Sequence, residues 1–95
     1  MVAWVYIMAS KPDGVLYVGV TNDLARRVFE HRNDILPGFT ASRGCKRLVF
    51  YRDYPTFQDA ILDEKRIKRW RRAWKIRLIE EMNPTWSDLY ERLHG

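Results

Sequence analysis

At 95 residues the chain has room for one hydrophobic core and not for two. A hydrophobic content of 46%, with 14% aromatic, excludes wholesale disorder, while 17 Lys and Arg against 12 Asp and Glu leave a net charge of +5 that favours a polyanionic partner. The single cysteine, Cys45, excludes an internal disulfide and a cysteine-based zinc site and fits a reducing compartment; the apolar start is too short for a membrane span and lacks a basic leader, so a cytoplasmic protein with no membrane association is expected.

Residues 2–9 are apolar, and most are β-branched or aromatic, which predicts a buried strand. Pro12, Asp13 and Gly14 supply a turn, and residues 15–20 a second strand, so the chain begins with a hairpin. Thr21 offers a hydroxyl cap and Asp23 a negative charge in the first turn of a helix that runs to about Arg32. Residues 33–46 read as a loop and residues 47–51 as a third strand.

Pro55 and Thr56 open the next helix, where Phe57, Ala60, Ile61, Glu64, Ile67 and Lys68 fall on one stripe. The apolar phase drifts between Trp70 and Trp74, predicting a bend there, and Asn83-Pro84 ends the helical run. Thr85 to Asp88 resembles a capping box ahead of a short last helix. The order β-β-α-β-α-α-α predicts an α+β fold: a small, mostly antiparallel three-stranded sheet flanked by helices. One domain over 1–95 is expected, with its core in 1–80 and a C-terminal helix at 85–93.

Several side chains stand out. Tyr6 and Tyr17 lie on the two hairpin strands, where positions before and after the turn can face each other. Taken alone they read as strand tyrosines packing a core. Arg27 and His31 sit one turn apart beside the core stripe of the first helix; alone, they read as a snorkelling arginine and a boundary histidine. Arg26 and Glu30 fall on the outer face of that helix. Glu64 points toward the core from an otherwise apolar stripe. A carboxylate there needs a partner, either a salt bridge to Arg27 or Lys68 or a cation. Residues 65–77 hold eight basic residues and no acid, with Trp70 and Trp74 among them. Such a run is a solvated face or a phosphate-binding strip.

The joint spacing carries more than the parts. Val5-Tyr6-Ile7 followed by Tyr17-Val18-Gly19 resembles the GIY-YIG signature in relaxed form, with Arg27 ten residues after Tyr17, His31 four later and Glu64 downstream. That order is similar to the nuclease domain of the bacterial excinuclease, to GIY-YIG homing endonucleases, and most of all to small stand-alone bacterial endonuclease-like members of that superfamily. The resemblance runs to about Lys75. It implies hydrolysis of phosphodiester bonds in DNA with one divalent cation, Mg2+ or Mn2+, on Glu64. Arg27 would grip the scissile phosphate and Tyr17 would act as general base or water-positioner. Tyr6 would support Tyr17, and His31 would share the base role or contact phosphate. Lys65, Lys68, Arg69, Arg71 and Arg72 are the expected nucleic-acid contacts. Two departures stand: the glycine of the first motif is absent from Trp4-Val5-Tyr6, and Ile76 occupies the place of an asparagine in the excinuclease domain. The missing asparagine and the small size keep open an alternative, a catalytically weak or inactive nucleic-acid-binding module on the same fold, beside a purely structural domain.

Overall fold

The most apolar strand becomes the central one. In the computed structural model, which describes residues 2–35 and 44–93, β1 (Ala3–Ala9) pairs with β2 (Leu16–Thr21) on one side and β3 (Arg47–Tyr54) on the other, both antiparallel. The sheet order is β2-β1-β3. The expected 33–46 loop lies partly outside the described residues. β3 is longer than its apolar pattern, because the ladder continues to Ala3↔Tyr54 through exposed Arg52 and Asp53. Charges suit an edge strand, since they discourage further pairing. The register steps from Ile7↔Phe50 to Met8↔Leu48, so Val49 is the extra residue of a bulge. Val49 and Phe50 consequently both join one core, while Leu48 joins the other.

α1 (Leu24–Arg32) is capped by Asp23 and not by Thr21. The Asp23 carboxylate accepts from Arg26 N–H at 3.3 Å, whereas the Thr21 hydroxyl accepts from Asp23 N–H at 3.0 Å and shapes the approach. α2 (Phe57–Arg69) has the expected cap, Thr56, whose hydroxyl accepts from Asp59 N–H at 3.1 Å. The predicted bend falls at Trp70-Arg71, both with extended ψ, before α3 (Arg72–Met82). Arg72 donates to the carbonyls of Asp13 (2.8 Å) and Gly14 (2.6 Å), tying the start of α3 to the hairpin turn.

The last helix is a correction. In place of a helix over 85–93 there is a 3-10 turn, Leu89–Leu93. The capping box does not form: Thr85 pairs with the Ser87 hydroxyl, and Trp86 adopts a positive φ of 57°. Asp88 instead accepts from the N–H groups of Leu48 (3.2 Å) and Tyr90 (3.1 Å) and pairs with Arg32, joining the turn to β3 and α1. Asn83 is buried, donating to the carbonyls of Val49 and Ser87 and accepting from Ser87 N–H, so its amide holds the chain reversal after α3.

The sheet has a core on each face. Val5, Ile7, Ala9 and Val18 pack against Ala60 and Ile67 of α2 and Leu78 and Ile79 of α3. On the other face Tyr6, Met8 and Leu48 pack against Leu24 and Val28 of α1, with Cys45 and Leu89.

Candidate active site

Strand alternation sends Tyr6 to the α1 face, where it is only 1% exposed. Its hydroxyl lies 2.9 Å from His31 Nε2, and His31 is itself buried. Burial, and after it the neighbouring Tyr17, push the Tyr6 phenol well above its ordinary range; Glu64 and Glu30 add to the rise and Arg27 opposes it. Burial, and after it Arg27, lower the His31 pKa, opposed by Glu30. At neutral pH the pair is therefore a protonated phenol hydrogen-bonded to a neutral imidazole.

Tyr17 completes an aromatic cluster. It stands opposite Met8, and Tyr6 stands opposite Gly19, so the two tyrosines are diagonal and not directly facing. Their ring centroids are 6.3 Å apart, and Tyr17 is 5.3 Å from the His31 ring. Gly19 has a steric role here. A Cβ at that position would fall 2.5 Å from Cζ and the hydroxyl of Tyr6, so only glycine lets the ring lie across β2.

Arg27 and Glu64 reach this cluster from two helices. Glu30 binds Arg27 at 3.2 Å and Arg26 at 3.5 Å, with its carboxylate half-buried between them. Glu30 is thus a site residue that the helical pattern alone assigns to the outer face; the i, i+3 and i, i+4 spacings are the signal that could have found it. Glu64 is 9% exposed on α2, and Lys68 Nζ pairs with it at 3.1 Å. Of the two salt bridges anticipated for Glu64, the Lys68 one forms. Arg27 and Glu64 are both near enough to bear on the Tyr6 phenol, Arg27 lowering its pKa and Glu64 raising it.

The basic strip divides. Lys65 and Arg69 are exposed, as is Arg71, whose guanidinium lies 5.2 Å from the Trp74 ring centroid. Lys68 is held by Glu64, and Arg72 by the hairpin turn. A cleft of about 550 Å³ lined by Arg32, Lys46, Arg47 and Tyr90 contains none of Tyr6, Tyr17, Arg27, His31 and Glu64. Tyr6 and His31 are buried, and Tyr17 and Arg27 are partly exposed at the edge of the cluster.

Residues 2–77 match the model of the GIY-YIG catalytic domain. The chain belongs to the GIY-YIG family. Among similar proteins, a UPF0213 protein of Bacillus pumilus is 37% identical over 70 residues, 74% of this chain and 71% of that relative. Another from Staphylococcus saprophyticus is 33% identical over 78 residues, 82% and 94% of the two chains. The solution NMR structure of the UPF0213 protein BH0048 from Bacillus halodurans covers 93% of each chain at 31% identity, with a TM-score of 0.59. The fold class and the resemblance read from the motifs are thereby borne out, and the chain is a member of a nuclease family. Among the described residues no helix is long and apolar enough to cross a membrane.

GIY-YIG nucleases are in general metal-dependent, so the donor set matters. Among the described residues no group of three or more His, Cys, Asp or Glu side chains is assembled. Glu64 is a single buried carboxylate, and carboxylate oxygens are donors that hard divalent cations take.

Proposed function

We propose that the protein is a divalent-metal-dependent DNA endonuclease acting as one GIY-YIG domain. The observation that supports this reading is the contact cluster of Tyr6, Tyr17 and His31, with Arg27 and the buried Glu64 near enough to bear on the Tyr6 phenol. A cation on Glu64, Mg2+ or Mn2+, would supply charge neutralisation at the phosphate and the leaving oxygen. Arg27, oriented by Glu30, grips the scissile phosphate and stabilises its developing charge. Tyr17, the more accessible phenol, receives the hydrogen bond of the attacking water as general base or positioner. Tyr6 does not compete for that role, because burial holds its proton and its hydroxyl is engaged with His31. Its task is to fix the imidazole, which stays neutral near Tyr17. Lys65, Lys68, Arg69 and Arg71 line the approach as phosphate contacts; Arg72 supports the hairpin on which Tyr17 stands.

The Glu64–Lys68 ion pair favours a second reading, since it accounts for a buried carboxylate without any metal. In that case the domain binds nucleic acid with little or no cleavage. Nicking of supercoiled and branched DNA with Mg2+ or Mn2+ by wild type, Glu64→Ala and Arg27→Ala decides between them. The two variants are each expected to lower the rate at least about a hundredfold. Equal nicking by all three proteins would identify a contaminant and sink the enzyme reading. Binding that persists in Glu64→Ala and falls steeply with salt, without cleavage by wild type, would establish the binding module.

A further inference from the structure

We propose that Lys68 is an exchangeable counterion that holds Glu64 in the metal-free protein and moves to a phosphate oxygen when a divalent cation and nucleic acid arrive together. This rests on the preceding reading of Glu64 as the cation ligand. The two partners of the ion pair differ in freedom. Glu64 is 9% exposed and fixed in the core stripe between Ala60 and Ile67, so its charge requires a cation at all times. The Lys68 side chain is 51% exposed on the same helix, one turn later, with a flexible four-carbon stem and a point charge. Lys68 can therefore leave for solvent, whereas Glu64 cannot follow it.

Arg27, the other cation in the field of the site, is held by Glu30 on α1. An ammonium and a divalent cation on one carboxylate repel each other, so cation binding must displace Lys68. A phosphodiester offers the displaced ammonium a new acceptor on the same basic strip. The geometry thus couples the two ligands through one side chain: each lowers the cost of the other's binding, and by linkage the effect is reciprocal. Without substrate, Lys68 keeps cation affinity low.

The test uses the 15N-labelled full chain and Mn2+ alone, read as paramagnetic broadening of the amides flanking residue 64. Lys68→Met is expected to bind Mn2+ about twofold tighter than wild type, since an i, i+4 helix ion pair has that order of worth. Lys68→Arg, which keeps the ion pair, stays near wild type, and Glu64→Gln loses the local broadening. A second measurement uses a short DNA duplex in EDTA. Glu64→Gln should raise duplex affinity more in the wild-type background than in Lys68→Met, because only the former has an ammonium to release. Equal Mn2+ affinity in wild type and Lys68→Met, with Glu64→Gln still abolishing the broadening, would overturn the exchange while leaving the metal site intact. Broadening that Glu64→Gln does not remove would overturn both.

Discussion

The two faces of the sheet are made from the same strand and serve opposite ends. Val5, Ile7 and Ala9 of β1 face α2 and α3 in a core of aliphatic contacts, completed by Ala60, Ile67 and Ile79. One residue out of phase, Tyr6 and Met8 face α1, where the core contains a phenol and an imidazole satisfied by each other. Both faces are dry. On the first, dryness gives stability through apolar burial. On the second, it fixes protonation: it holds the proton on Tyr6 and keeps it off His31. The difference teaches that the site needs a core-like environment and forgoes some aliphatic packing to place polar groups within it.

The comparison breaks most visibly on the aliphatic face. Ile79 is fully buried in α3, and Ile79→Ala is expected to cost about 2–5 kcal/mol in urea denaturation, the usual range for a large-to-small change in a packed core. Nicking per folded molecule should stay near wild type, because Ile79 belongs to the core opposite the tyrosines and to a helix that carries none of Tyr6, Tyr17, Arg27, His31 and Glu64. A selective loss of nicking with unchanged stability would mean that the two faces are not divided as described. Tyr6→Phe probes the other face with a smaller and different effect. The ring remains while the hydroxyl goes, removing the partner of His31 Nε2 in a buried setting, at a cost of about 1–3 kcal/mol. Here nicking should fall beyond what unfolding explains, because the imidazole loses its orientation. A change in stability alone would reduce Tyr6 to packing.

How far these faces are legible in the sequence depends on how local their signals are. The apolar strand pattern, the Thr56 cap and the inward acid at Glu64 are short-range features, and the structure carries all three. The α1 cap is ambiguous because Thr21 and Asp23 both have capping side chains, and only the backbone path tells them apart. β3 reads too short because ladder pairing with Ala3 and Trp4, and not hydrophobicity, extends it through Arg52 and Asp53. The last helix reads too long because long-range bonds from Asp88 to Leu48 and Arg32 set the chain path there. In the site, Tyr6, Tyr17, Arg27, His31 and Glu64 are legible as a spacing. The diagonal register that makes Gly19 necessary is not, nor is Glu30's grip on Arg27, since both depend on how elements meet.

The smallest expected effect is also the most specific to the polar face. His31 has a pKa below its ordinary value of 6.5, through burial first and Arg27 second. In the unfolded chain the imidazole takes up a proton near that ordinary value, while the folded protein resists it. Between the two values the unfolded state binds more protons, so stability rises with pH across that window. The His31 contribution is present in full above about pH 6.5 and is lost as the pH falls through the lowered folded value. With both ring nitrogens protonated, Nε2–H would donate to the Tyr6 oxygen, and the phenol proton would need another acceptor. Urea denaturation of wild type and His31→Gln at a series of pH values from 7 downward should show a steeper decline in wild type. Parallel declines would mean that His31 titrates alike in both states, and that the dry tyrosine–histidine face does not control the proton it was built around.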